Sequence, residues 1–193
     1  FKDQGYDVLL MMDSLTRYAM AQREIGLAIG EPPIARGYTP SIYAEFPKLL
    51  ERSGNFGKGS ITGVYTVLVE GDDTNEPISD TVRGILDGHI VLSRQLANEN
   101  HFPAIDIGAS ISRLMVEIVS EDHQRVASRL RNILSLYQKN ADLISIGAYK
   151  RGTNPALDEA VSKINAINAF LQQGVKERFT YEETLEQIQA ITG

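Results

Sequence analysis

The fold of this chain is decided by a short stretch near its start, where residues 7–17 read DVLLMMDSLTR. Residues 8–12 form an unbroken apolar run that stops at Asp13. A short run without polar residues on either face is typical of a central parallel β-strand that helices cover on both sides. Ser14 can cap a following helix, because its hydroxyl can accept a hydrogen bond from a free N–H of the first turn. The stretch therefore predicts a strand–turn–helix unit of an α/β fold.

Asp13 stands where α/β proteins bind ligands, at the carboxyl end of a predicted parallel strand. A carboxylate there can hold Mg²⁺, usually through water, while the ion bridges nucleotide phosphates. An acid at this place can equally be a helix cap, and the residues alone leave both interpretations open. Arg17 lies about one helical turn beyond Asp13, so the two side chains can face one site.

Predicted strands and helices alternate along the first part of the chain. Apolar strand patterns cover residues 61–69, 89–92 and 104–107, with helical patterns between them. Such alternation predicts βαβ units and a mostly parallel sheet. Residues 54–59 contain several glycines and predict a flexible turn.

After Leu114 the pattern changes to helices only. These helices carry start signals that are recognisable in the sequence: Ser120, Asn154-Pro155 and Thr180. We therefore predict two domains, an α/β domain at residues 1–114 and an all-α domain at residues 115–193.

Two residues beside the last predicted strand are further candidates for a nucleotide site. Arg113 follows that strand, and an arginine that leaves a sheet edge can stabilise transition-state charge in a neighbouring subunit. A surface salt bridge is the more common use of such an arginine. Phe102 precedes the strand and could stack on a base, although packing in the core is the more common role. The acids at residues 70–73 could ligate a metal or form a solvated loop.

The composition is that of an ordinary globular chain of 193 residues, 42% hydrophobic and 23% charged. Its net charge of -6 argues against nucleic acid as the main partner, since phosphate backbones require clustered Lys and Arg. The chain has no cysteine, which excludes disulfides and thiolate metal sites and fits a reducing compartment. No apolar run approaches the roughly 20 residues that are needed to span a bilayer.

A phosphate-binding loop of the form G-x-x-x-x-G-K-[ST] does not occur in the sequence. Residues 54–60, GNFGKGS, have a similar composition but the wrong spacing, and they precede a predicted strand rather than a helix. The chain also starts at Phe1, almost directly before its first strand, without an initiator methionine. These features lead us to expect a fragment that holds part of a nucleotide site without its phosphate cradle.

Several motifs in a fixed order resemble the flagellar and type III secretion ATPases over essentially the whole chain. Residues 7–19 resemble the Walker B strand of that family and the helix that follows it. The segment GAYKRG at 147–152 resembles the flagellar branch more than the injectisome branch. The other matching segments are QREIGLA at 22–28, GEPP at 30–33, KGSIT at 58–62, VEGDD at 69–73, NEP at 75–77, LDGHI at 86–90, FPAID at 102–106 and SR at 112–113.

This resemblance implies a RecA-like P-loop NTPase fold, of which the chain holds the C-terminal half of the mostly parallel sheet. An all-α C-terminal domain follows, and the subunits form a hexameric ring with ATP bound between them. In that ring, residues 70–77 match the loop that faces the central stalk. The cofactors implied are ATP and Mg²⁺.

The resemblance also assigns roles to individual residues. Asp13 would be the Walker B carboxylate on Mg²⁺, and Arg17 would lie near the phosphates. Arg113 would be the arginine finger that reaches into the neighbour's site. Phe102 falls at one adenine-facing aromatic position, and the second such position falls near Val175, where this chain has no aromatic residue.

The implied function is ATP hydrolysis that energises flagellar protein export, releasing and unfolding substrates from their chaperones at the export gate. Expected partners are further copies of the chain in a homo-hexamer, export substrates and chaperones, and central stalk-like and regulatory export proteins, without nucleic acid. The expected location is cytoplasmic, peripheral at the inner face of the cell membrane. The alternatives are an injectisome ATPase and a non-catalytic nucleotide-binding subunit of a rotary F- or V-type ATPase. The 193 residues alone are expected to be inactive, because the family's phosphate loop and water-polarising glutamate lie upstream.

Overall fold

The computed structural model describes residues 1–73 and 75–193, which divide into two units at 1–87 and 88–193. Each unit has its own sheet and its own apolar core. The predicted domain boundary after residue 114 is a different division of the chain and stays a prediction. No helix among the described residues is long and apolar enough to cross a membrane.

The sheet of the first unit has the order β1-β3-β2. Strand β1 (Asp7–Met12) runs parallel to β3 (Ser60–Tyr65), with Leu9 opposite Thr62 and Met11 opposite Val64. The short strand β2 (Gly54–Asn55) pairs antiparallel with β3. The predicted flexible turn at 54–59 therefore contains a strand, because the few residues between β2 and β3 allow only a hairpin return.

Three helices pack beside this sheet: α1 (Leu15–Ala28), α2 (Pro40–Leu50) and α3 (Pro77–Ile85). Ser14 caps α1 as predicted, its Oγ accepting a hydrogen bond from the Arg17 backbone N–H at 3.3 Å. The buried core of the unit consists of Leu15, Ala19, Tyr38, Ile42, Phe46, Leu50, Ile78 and Val82.

The expected burial of β1 on both faces is wrong for this chain. Successive side chains of a strand point to opposite faces. Met12 packs against the core of the unit, whereas Leu9 is 63% exposed and Met11 is 73% exposed. Leu10, on the same face as Met12, is 41% exposed, so the described helices of the unit cover that face in part and leave the other face open.

The sheet of the second unit consists of β4 (Gly88–Leu92) and β5 (Ile105–Ser112), which pair antiparallel. The alternation of strands and helices predicted a mostly parallel sheet, and that prediction is wrong for β4 and β5. The predicted α/β class is confirmed. Between them lies α4 (Arg94–Asn98), which is too short to carry the chain across a sheet face as a parallel connection requires. Instead the chain turns back directly, and the Ser93 N–H donates to the Ala104 carbonyl at 2.8 Å.

The remainder of the second unit is helical, as predicted. Its helices are α5 (Met115–Ile118), α6 (Glu121–Lys139), α7 (Ala141–Ser145), α8 (Pro155–Leu171) and α9 (Tyr181–Thr192). Ser120, Asn154 and Thr180 are the N-caps of α6, α8 and α9, and Thr180 forms both halves of a capping box with Glu183. The buried core consists of Leu130, Ile133, Leu134, Leu157, Ala160, Ile164 and Ile167.

Candidate functional site

Asp13 lies at the carboxyl end of β1 with its side chain exposed to solvent. One carboxylate oxygen, Oδ1, accepts a hydrogen bond from the hydroxyl of Thr66 at 2.7 Å. Thr66 directly follows β3, so the two residues meet because parallel neighbours end at the same edge of the sheet. The arrangement fixes the direction of the Asp13 carboxylate while leaving it open to ligands.

Backbone hydrogen bonds hold the same edge in place. The Thr66 N–H donates to the Met12 carbonyl at 3.0 Å, and the Leu15 N–H donates to the Thr66 carbonyl at 2.9 Å. The buried hydroxyl of Thr16 accepts from the Leu68 N–H at 2.9 Å and donates to the Leu68 carbonyl at 3.2 Å. The first turn of α1 is therefore joined to the segment after β3 by bonds on both sides of Asp13.

Arg17 lies in the first turn of α1, and its side chain is exposed. Free backbone N–H groups and the helix dipole make the start of such a helix favourable for anions. The structure therefore places a carboxylate, a guanidinium and a helix start along one edge of the first unit. The Asp13–Ser14 peptide bond between strand and helix is cis.

The donor set of this edge fits a hydrated cation rather than an all-protein cage. Asp13 supplies a carboxylate beside the Thr66 hydroxyl, and no group of three or more His, Cys, Asp and Glu that could hold a metal exists in the described part of the chain. Mg²⁺ is commonly bound by one or two carboxylates while waters and phosphate oxygens complete its octahedron. The residues present are compatible with that mode of binding.

Phe102 and Val175 belong to the second unit, and the structure brings their segments together. The Phe102 carbonyl accepts a hydrogen bond from the Gln173 N–H at 2.9 Å, two residues before Val175. Both side chains are exposed, Phe102 to 51%. An exposed aromatic ring can pack against a flat ligand, and the adenine-facing role of Phe102 and Val175 stays a prediction.

Arg113 directly follows β5, and its side chain is exposed. It lies in the second unit, whereas Asp13 and Arg17 lie in the first. The predicted residues thus form two sets, one in each unit. The role of Arg113 as an arginine finger stays a prediction.

The acidic loop at residues 70–77 has contacts that the sequence did not indicate; Thr74 within it lies outside the described residues. Asp73 forms an ion pair with Arg36, with 2.5 Å between Oδ2 and Nη2. Glu76 is 5% exposed and caps α3, its Oε2 accepting from the Ile78 and Ser79 N–H groups at 3.1 Å each. Pro77 at the first position of α3 is the signal that could have revealed the Glu76 cap.

The sequence alone does not indicate a role for Thr66. It follows an apolar strand, as Asp13 does, but its meeting with Asp13 depends on β1 and β3 being parallel neighbours. The sequence indicates where β1 and β3 end, but it does not show that the two strands are parallel neighbours.

Comparison with known proteins finds two family models that match this chain. A family model described as the ATP synthase alpha/beta family, nucleotide-binding domain, matches residues 1–112. A second model, described as the T3SS EscN ATPase C-terminal domain, matches residues 119–190. The two matches follow one another along the chain.

Individual relatives agree with these models. The flagellum-specific ATP synthase of Salmonella typhimurium is 55% identical over 193 residues, covering 99% of this chain and 42% of that protein. The structure of the assembled ATPase EscN from the enteropathogenic E. coli type III secretion system matches with a TM-score of 0.97 and 51% identity, over 100% of this chain and 47% of that one. EscN in complex with its central stalk EscO matches with a TM-score of 0.90 and 49% identity, over 100% of this chain and 46% of that one.

The chain thus spans less than half the length of these relatives. Within that span, the two family models and the relatives named above identify the same family. This chain belongs to the ATP synthase alpha/beta family of nucleotide-binding proteins and continues into an EscN-type ATPase C-terminal domain.

Proposed function

We propose that this chain is the C-terminal part of a hexameric ATPase that hydrolyses ATP to energise flagellar protein export. Relatives at 55% identity are named flagellum-specific ATP synthases, and this chain covers 42–44% of two of them. The activity therefore belongs to a polypeptide of the relatives' length, in which this chain supplies part of each nucleotide site. The structure of the assembled EscN supports the ring.

The observation that carries this proposal is the Asp13 edge of the first unit. The carboxylate is exposed at the end of a parallel strand and oriented by the Thr66 hydroxyl. Bound Mg²⁺ would supply charge neutralisation for the nucleotide phosphates, and Asp13 with Thr66 would hold that ion through water. Arg17, in the adjacent helix turn, would bind phosphate oxygens.

Residues of the second unit have further roles in this proposal. Arg113 would stabilise negative charge on the phosphates of the neighbour during transfer, because a guanidinium matches several phosphate oxygens at once. Phe102 would pack against adenine, with Val175 supplying an aliphatic surface instead of a second ring. This division predicts that a single subunit does not form a complete site.

Arg113→Ala in the full-length ATPase tests the proposed catalytic role of Arg113. We expect kcat to fall by about 10³-fold, the scale at which arginine fingers act, while nucleotide affinity changes little. ATPase turnover and equilibrium binding of a fluorescent ATP analogue measure the two quantities. Arg131→Ala, which removes an exposed arginine of α6, is the matched control and should leave both unchanged. Equal losses of binding and turnover would contradict the finger role.

The expected partners follow from the same proposal. EscN is seen in complex with its central stalk EscO, and we propose that the acidic loop at residues 70–77 faces the equivalent stalk of this ring. Export substrates, their chaperones and regulatory export proteins would be met at the export gate, with the ATPase peripheral to the inner face of the cell membrane.

An injectisome ATPase is the second candidate, because EscN matches this chain at 51% identity with a TM-score of 0.97. Complementation separates the two branches. The full-length protein should restore motility to a strain that lacks its flagellar export ATPase and should not restore effector secretion to a strain that lacks its injectisome ATPase. The reverse result would assign the injectisome branch.

A further inference from the structure

The segment between α8 and α9 contains a tight turn at residues 174–177. The Glu177 N–H donates to the Gly174 carbonyl at 3.0 Å, which is the hydrogen bond that closes a four-residue β-turn. Val175 and Lys176 are the two central residues of this turn, and the Val175 side chain is fully exposed. The turn therefore presents Val175 to solvent at its tip.

Glu177 closes this turn with its side chain as well as its backbone. Its Oε2 accepts a hydrogen bond from the Gly174 N–H at 2.7 Å, and its carbonyl accepts one from Gln173 Nε2 at 2.8 Å. A hydrogen bond to an ionised carboxylate is stronger than one between neutral groups. Glu177 thus fixes both of the residues that directly precede Val175.

The turn is also joined to the segment that carries Phe102. The Gln173 N–H donates to the Phe102 carbonyl at 2.9 Å, while the Gln173 side chain bonds to Glu177. A continuous set of hydrogen bonds therefore runs from Glu177 through Gln173 to the backbone of Phe102. A binding segment that is already ordered loses less conformational entropy when its ligand arrives, and it binds that ligand more tightly.

We infer that Glu177 is a positioning residue for the part of the nucleotide site that contacts the base. It holds the turn that carries Val175 on the Phe102 backbone, so that the turn is ordered before adenine binds. The inference rests on the proposed function, in which Phe102 and Val175 contact adenine. Glu177 acts through the turn and not by contact with the nucleotide.

Glu177→Ala in the full-length ATPase removes the carboxylate that accepts from the Gly174 N–H. We expect the KM for ATP to rise about threefold to tenfold, the scale of one hydrogen bond. The kcat should stay nearly unchanged, because a contact with the base is the same before and during phosphoryl transfer. Glu177→Gln keeps an acceptor oxygen and should retain most of the affinity. Steady-state ATPase assays measure both constants.

Inorganic tripolyphosphate separates the base from the phosphates, since it is a competitor that has no base. Its inhibition constant should be the same for Glu177→Ala as for the unsubstituted protein. Glu182→Ala is the matched control, because it removes an exposed glutamate from the first turn of α9. The control should leave the KM for ATP and the inhibition constant for tripolyphosphate unaltered.

Hydrogen exchange of residues 172–180, measured without nucleotide by mass spectrometry of the full-length ATPase, reports on the turn itself. Exchange should be several times faster in Glu177→Ala and nearly unchanged in Glu177→Gln and Glu182→Ala. The inference is overturned if exchange is unchanged in Glu177→Ala, or if Glu177→Gln has the same effects as Glu177→Ala. It is also overturned if exchange becomes faster while the KM for ATP stays the same, or if ATP and tripolyphosphate are weakened by one factor. An unsubstituted full-length protein without ATPase activity would instead contradict the proposed function.

Discussion

Thr66 is the residue whose hydroxyl fixes the Asp13 carboxylate, at 2.7 Å. Thr66→Val keeps the shape of the side chain and removes that hydrogen bond. In the full-length ATPase we expect the Mg²⁺ concentration for half-maximal activity to rise about tenfold to a hundredfold, the range seen when a residue that orients a metal ligand is lost. ATPase assays over a Mg²⁺ titration measure the change.

Thr62→Val is the matched control for Thr66→Val. Thr62 lies on the same strand, β3, with its side chain exposed on the open face of the sheet. The control should leave the Mg²⁺ dependence unaltered. If Thr66→Val alters only the melting temperature, and not the Mg²⁺ dependence, its role is structural and our assignment is wrong.

At the scale of residues, the sequence predicts where candidate site residues lie better than it predicts which residues they contact. Asp13 could be located because an apolar strand and an acid are adjacent in the sequence. Thr66 and the Arg36–Asp73 ion pair could not, because each contact joins residues far apart in the chain and depends on the pairing of elements.

At the scale of elements, Glu76 holds the start of α3. Its buried carboxylate accepts two backbone hydrogen bonds, so Glu76→Ala leaves the N–H groups of Ile78 and Ser79 without that acceptor. We expect the free energy of unfolding to fall by about 1–3 kcal/mol. Chemical denaturation of the full chain measures it. Glu76→Gln retains an acceptor oxygen and should lose much less, and equal losses for both variants would rule out the cap as the cause.

A second contact between elements joins the segment after α7 to α8. Tyr149 donates its hydroxyl hydrogen to Asp158, which also accepts from the Gly152 N–H at 2.9 Å. The hydrogen bond to Asp158, followed by burial and the charge of that carboxylate, raises the pKa of Tyr149 above its usual value of 10.0. Because the pKa is raised on folding, the contact stabilises the fold fully below about pH 10 and is lost as the pH rises through the raised pKa.

Tyr149→Phe tests this pH dependence. We expect the variant to melt at a lower temperature than the unsubstituted chain at pH 8, and the difference to be smaller at pH 11, because the stabilisation by a group with a raised pKa declines as the pH rises above the unfolded pKa. Thermal melts followed by circular dichroism at the two pH values measure it. Tyr6→Phe, at a tyrosine that is 60% exposed, should show no such change in difference. A difference that is constant with pH would contradict the prediction.

The elements themselves were predictable where the signals are local. Ser14, Ser120, Asn154 and Thr180 were predicted as helix starts and are N-caps in the structure, because capping involves only residues of one turn. Strand direction was not predictable in the same way. Whether β4 and β5 run parallel depends on how the chain returns between them, and the alternation of strands and helices does not determine that return.

At the scale of the whole molecule, the proposed ring divides each nucleotide site between two subunits. Asp13 would act in its own subunit, and Arg113 would act on the neighbour. A subunit with Asp13→Asn still carries a normal Arg113, and a subunit with Arg113→Ala still carries a normal Asp13. Each variant alone should form inactive rings, since every site in such a ring has one defect.

Mixing the two variants of the full-length ATPase before assembly should restore activity. In a ring with head-to-tail contacts and random composition, about one quarter of the interfaces combine a normal Asp13 with a normal Arg113, so turnover should recover up to roughly that fraction. ATPase assays over a series of mixing ratios should peak at equal amounts. A mixture in which Arg131→Ala replaces Arg113→Ala is the control, because that partner is active by itself. If the mixture of the two inactive variants stays inactive while mixed rings form, Asp13 and Arg113 act within one subunit and the divided site is wrong.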